Sequence, residues 1–87
     1  MKIGDIIRHF KFELLSDAEK AQNKYIYRVE SFATNTVTEE EMVIYRSLFG
    51  NGKAWARPLS EFTDKVDKNK YPTVKQELRF EIINHED

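Results

Sequence analysis

The stretches KYIYRVESFAT (residues 24–34) and EMVIYRSLF (residues 41–49), joined by a polar turn, decide the fold. In the first, Tyr25, Tyr27, Val29 and Ala33 share one parity, and Ile26, Arg28, Glu30 and Phe32 share the other, which is the period of a strand. In the second, Met42, Ile44 and Leu48 alternate with Val43, Tyr45 and Phe49, so both faces carry apolar groups. A strand covered on both sides, at the centre of a tightly curled sheet, has that composition. The connecting turn opens at Thr34-Asn35-Thr36 and ends at Glu39-Glu40-Glu41. Three successive acids at a strand edge splay to different sides, so this run reads as a solvated hairpin end and not as a metal site.

Working outward, Gly50-Asn51-Gly52 is a turn signal, because Gly and Asn accept positive φ at little cost. It leads into a short strand, Lys53 to Pro58, which must stop at Pro58 for want of an amide donor. Leu59 to Phe62 is expected to make one helical turn and Thr63 to Val66 a last short barrel strand. A second turn follows around Lys68-Asn69-Lys70 and Pro72, and then a C-terminal strand in which Leu78, Phe80 and Ile82 alternate with Arg79 and Glu81. Upstream, Asp5 to Phe12 is read as the first strand. Between it and the central hairpin, Ser16-Asp17-Ala18-Glu19 fits a capping box, so residues 13–23 are expected to form a surface insertion with a short helix. The expected fold is therefore mainly β: a small SH3-like barrel, or a related curled antiparallel sheet, over residues 3–67. It carries a helical insertion and an extra C-terminal strand in residues 68–87.

The bulk composition agrees with one domain. Eighty-seven residues bury a thin core, and six Phe, four Tyr and one Trp supply the large side chains it needs. With no Cys there is no disulfide frame, thiolate metal site or cysteine nucleophile. Fourteen basic and fifteen acidic side chains give a net charge of −1, against a dedicated nucleic-acid binder. Neither a signal peptide nor an apolar run of membrane-spanning length is legible, so a cytoplasmic location without membrane attachment is expected. Gly-rich phosphate loops and metal-ligand clusters are likewise absent from the pattern, and no cofactor is expected.

Arg8-His9-Phe10-Lys11, Tyr27-x-Val29, Val43-x-Tyr45-x-x-Leu48-Phe49-Gly50, and Trp55-x-Arg57-Pro58-Leu59 with Phe62 together resemble the bacterial domain-of-unknown-function family numbered sixteen-fifty-three. The resemblance runs from Asp5 to Val66, and the ending from Lys70-Tyr71-Pro72 to Arg79-Phe80-Glu81 is similar to a subgroup of Gram-positive members. It implies a small, cytoplasmic, stand-alone bacterial domain and no particular activity. Members carry a His-Ser/Thr-Glu-Thr-Gly turn where this chain has Asn35-Thr36-Val37-Thr38-Glu39, so no role of that turn carries over.

The candidate binding residues are Arg8, His9, Lys11, Tyr45, Trp55 and Arg57. Arg8, His9 and Lys11 suit a phosphate or carboxylate, with Arg as a bidentate fork and His as a titratable donor, or else they simply line a solvated first strand. Trp55 and Arg57, spaced two apart in a strand, point the same way. With Tyr45 they would make an aromatic floor with a cationic edge, unless Trp55 plugs the core. Tyr25, Tyr27, Tyr45 and Phe49 read either as core or as an aromatic groove. Ser16 is a cap, and Ser31, Ser47 and Ser60 lack an evident base, so catalysis is not expected. The expected function is a non-catalytic binding module for a peptide or protein, favoured over a nucleic-acid segment, acting as a monomer or weak homodimer. The alternatives are a small-ligand or nucleotide-responsive domain, or a hydrolase, using His9 and Arg57, and a structural subunit pairing through an edge strand.

Overall fold

The computed structural model describes residues 1–86. Its strands are β1 (Asp5–His9), β2 (Ile26–Thr34), β3 (Glu41–Ser47), β4 (Ala54–Pro58) and β5 (Phe80–His85). They form one antiparallel sheet in the order β4-β3-β2-β1-β5. The sheet does not close, yet it curls strongly. The Arg57 guanidinium of edge strand β4 lies 5.7 Å from the ring centroid of Phe80 on the opposite edge, β5. Tyr45 of β3 and Tyr27 of β2 also reach Phe80, with ring centroids 5.8 and 6.0 Å away. The fold is thus the mainly β, curled antiparallel sheet that the hairpin predicts. No helix among the described residues is long and apolar enough to cross a membrane.

The core lies in the concave face. Ile7, Val29, Val43, Tyr45, Phe62 and Phe80 are buried together, with Tyr27, Phe32 and Leu59 packed against them. Strict alternation would have placed Ala33 beside Val29, but β2 carries a bulge. Val29 pairs with Tyr45 and Ser31 with Ile44, so Glu30 is an extra residue and parity flips after it. Phe32 therefore faces Val43 on the core side, and Ala33 is exposed. On β3, Val43 and Tyr45 are buried while Met42 and Ile44 are half-buried, so the second face is only partly covered.

Three further expectations shift. β1 ends at His9, and Phe10–Leu14 turns into a 3₁₀ segment, because His9 Nδ1 accepts the Lys11 amide and caps it. Thr63 to Val66 is not a strand: only an isolated bridge, Lys65 to Leu78, forms there. The C-terminal strand begins at Phe80 and pairs along β1, so it is an integral edge of the sheet. A second 3₁₀ segment, Leu59–Thr63, drops Phe62 into the core at 1% exposure. The insertion does hold a helix, α1 (Asp17–Ala21), with both arms of the Ser16–Glu19 capping box in place. Gly50 and Gly52 take φ of +63° and +66° in the β3–β4 turn. Phe10, Val66 and Val74 form a smaller cluster with Tyr71, which anchors the loop between residues 64 and 79 beside the end of β1.

Candidate functional site

Where the curl brings the end of β1 toward β4 and the start of β5, a half-open cleft of about 360 Å³ forms. His9, Phe10 and Lys11 line it from β1 and the first 3₁₀ segment, Arg57 from β4, and Arg79 from the residue before β5. Lys65, Val66, Asp67, Lys70 and Tyr71 close it from the loop. Five of these side chains are cationic, and Asp67 is the lone lining acid. The Asp67 carboxylate already accepts the amides of Asn69 and Lys70, the hydrogen bonds that shape that turn.

The two arginines are held. Arg57 Nη1 donates to Glu61 Oε1 at 2.9 Å, and its Nε donates to the Tyr45 hydroxyl at 3.4 Å. Burial works against the Arg57 charge, but the Tyr45 hydroxyl and the Glu61 carboxylate outweigh it and raise its pKa. Arg79 Nη1 reaches the same Glu61 oxygen at 3.4 Å, and its Nη2 lies 3.5 Å from Asp64. Lys11, Lys65 and Lys70 have no ion-pair partner among the described residues.

His9 is half-buried, stacked on Phe10 with centroids 4.5 Å apart and edge-on to Phe80 at 4.9 Å. Burial first, then the charges of Lys11, Arg57 and Arg79, push its pKa down to about 4. At neutral pH the ring is therefore uncharged. Because Nδ1 accepts the Lys11 amide, the ring proton sits on Nε2, leaving one hydrogen-bond donor and no positive charge. Chemically, the cleft can hold an anion among cations with an aromatic and imidazole wall. It contains no group of three His, Cys, Asp or Glu side chains placed to hold a metal, and none occurs elsewhere among the described residues.

The six residues expected from the sequence divide three ways. His9, Lys11 and Arg57 meet in the cleft, with Tyr45 buried behind Arg57. Arg8 alternates to the other side, where its Nε donates to Gln76 and its guanidinium lies 5.6 Å over Phe12. Trp55 pairs across from Tyr45 but sits on the open edge strand, 44% exposed, with the Lys53 ammonium 4.8 Å over its ring. It neither plugs the core nor lines the cleft. Of the four expected groove aromatics, Tyr27 and Tyr45 pack edge-to-face in the core, Tyr25 lies against His9, and Phe49 is 36% exposed. Arg79, Lys65, Lys70 and Tyr71 were not among the expected residues. Lys70 and Tyr71 lie in a segment that reads as a turn, and Arg79 reads as the polar face of a strand.

A protein-family model described as "Protein of unknown function (DUF1653)" matches residues 5–82. Neither a curated protein nor a solved structure matches the chain.

Proposed function

The chain belongs to the DUF1653 family, whose description names no activity, and we propose from the cleft itself that it is a non-catalytic binding domain for a discrete anionic group. One observation carries the reading: five cationic side chains from four separate parts of the chain converge on one cleft that a single acid lines. Arginines offer planar forks, lysines offer mobile charge, and the neutral His9 adds a directed donor. A protein of net charge −1 has no general attraction for polyanions, so a local concentration of cations favours a compact ligand over a nucleic-acid track. The partner is thus a protein, peptide or small molecule presenting an acidic group, and we read the domain as cytoplasmic on its sequence.

Amide-resolved NMR titration of the labelled chain with a short acidic peptide, at constant ionic strength, tests this. Saturable shifts are expected at His9, Lys11, Arg57, Lys65 and Arg79. Replacing Lys65 and Lys70 together by Ala should weaken binding about five- to tenfold, as two partly solvated charges would. Absence of saturable shifts, or shifts centred on Arg8 or on Lys53 and Trp55, would defeat the reading.

A second reading rests on edge strand β5, where Ile82 and Ile83 are 53% and 46% exposed. We propose for it weak pairing between copies along that edge. Sedimentation of the protein over a hundredfold concentration range should then show a dimer that Ile83→Lys abolishes.

A further inference from the structure

Resting on the cleft reading above, we propose that the anion it takes is a phosphoryl group, as a phosphate monoester, and that Glu61 occupies the two arginines until the ligand arrives. Arg57 Nη1 and Arg79 Nη1 approach one and the same atom, Glu61 Oε1, at 2.9 and 3.4 Å. They come from opposite edges of a curled sheet, Arg57 on β4 and Arg79 just before β5. Two guanidiniums converging on one oxygen form the donor set that a phosphoryl group satisfies, since its several oxygens can accept from both forks at once. Each head also keeps a partner that does not depend on Glu61: the Tyr45 hydroxyl for Arg57 and Asp64 for Arg79. Both therefore stay in position when the shared carboxylate leaves.

Charge points the same way. Five lining cations face Asp67, and Asp64 stays beside Arg79 when Glu61 leaves, so five positive charges less two negative leave an excess of three. A phosphate monoester carries about −1.5 to −2 near neutral pH and offsets at least half of that excess, whereas one carboxylate would leave two of the three charges uncompensated. Glu61 itself does not line the cleft; it reaches the arginines from the second 3₁₀ segment. A ligand entering by the cleft meets the arginines from a different side and takes them by exchange. The Glu61 side chain is 41% exposed, so its release into water is cheap.

The test uses the full chain at constant ionic strength. It compares glycerol phosphate, a phosphoserine peptide and the same peptide with Asp in place of phosphoserine, each titrated into wild type and Glu61→Gln. Both phosphate probes should bind at least about tenfold more tightly than the Asp peptide. Glu61→Gln should strengthen phosphate binding about three- to tenfold, because a neighbouring negative charge is lost while the side-chain shape remains. A clear advantage of the phosphopeptide over glycerol phosphate would identify a phosphorylated protein as the source, and equal affinities would identify a free phosphate ester. If the Asp peptide binds the cleft as well as the phosphopeptide does, or if Glu61→Gln leaves phosphate binding unchanged or weaker, the phosphoryl proposal fails while the anion cleft stands. If none of the probes shifts the cleft residues, the cleft reading fails with it.

Discussion

At the scale of single residues, Gln76 ties more of the molecule together than its place in a loop suggests. It is 4% exposed, and its Nε2 donates to the carbonyls of Arg8, Leu78 and Arg79 at 3.0, 2.9 and 3.3 Å. Its Oε1 accepts from Arg8 Nε, and its backbone amide is taken by the Glu13 carboxylate. One amide thus fastens the loop to β1 and to the approach to β5. Gln76→Ala removes three donated hydrogen bonds and the one accepted from Arg8, which should cost about 2–3 kcal/mol, read as a lowered urea midpoint with unchanged slope. Gln76→Glu should cost at least as much, because a carboxylate would face three carbonyl oxygens. Trp55 gives the opposite expectation. At 44% exposure, with a lysine lying over its ring, it has little buried contact to lose. Trp55→Ala should change stability by less than about 1 kcal/mol, and a loss of 3 kcal/mol or more would show the ring to be packed in solution. Nothing in the local sequence around Trp55 separates these outcomes, because a Trp two residues before an Arg has the same parity whether its strand is central or at an edge.

Among the elements, β5 depends on a contact made far from it in sequence. Gly4 has a φ of +93°, and a Cβ there would collide with the Glu86 carbonyl. The Gly4 carbonyl accepts the Glu86 amide at 2.7 Å, and the buried Asp5 carboxylate lies 2.8 Å from the His85 ring. Gly4→Ala should therefore loosen the carboxyl end of β5 and cost about 1–3 kcal/mol. Amide exchange would show it as faster exchange at His85 and Glu86 with β3 unaffected; uniform loss of protection would mean that the whole sheet had been weakened. The central hairpin was legible because its two strands are long, carry their apolar groups at the right period and are joined by a polar turn. The bulge at Glu30 was not, since one inserted residue leaves no mark on composition while reversing which side Phe32 faces. Thr63 to Val66 has strand-like residues but no neighbour long enough to pair with, so in place of the expected strand only the Lys65–Leu78 bridge forms. The capping box, a purely local device, could be read directly.

For the whole molecule, the cleft was half legible: Arg8, His9, Lys11, Tyr45, Trp55 and Arg57 could be picked as chemistry-bearing, but curvature decides which of them meet. Arg79 joins Arg57 only because β5 pairs beyond β1 and the sheet curls back on β4, which no short-range pattern encodes. That same gathering of cations leaves a signature in stability. His9 titrates at about 4 in the folded chain against an ordinary 6.5, so between those values the unfolded chain binds the extra proton. Its contribution is complete above pH 6.5 and is lost as the pH falls toward 4. The depressed carboxylates add to this slope only at lower pH. The Lys2 amide and His85 hold Asp5 below its ordinary 3.8, and the Lys75 and Gln76 amides hold Glu13 below 4.5, in both cases against burial. Their contributions are present above those ordinary values and disappear as the pH falls below them. Stability should therefore decline from pH 6.5 to 4.5 by about 1–2 kcal/mol, a figure reduced for the partial exposure of His9, before the carboxylates begin to contribute. His9→Phe keeps a ring against Phe10 and Phe80 but has no proton to take. Urea unfolding of that variant should be nearly flat across pH 6.5 to 4.5 while wild type slopes. Parallel slopes in the two proteins would mean that the charge crowding of the cleft does not reach His9 and that another group carries the acid sensitivity.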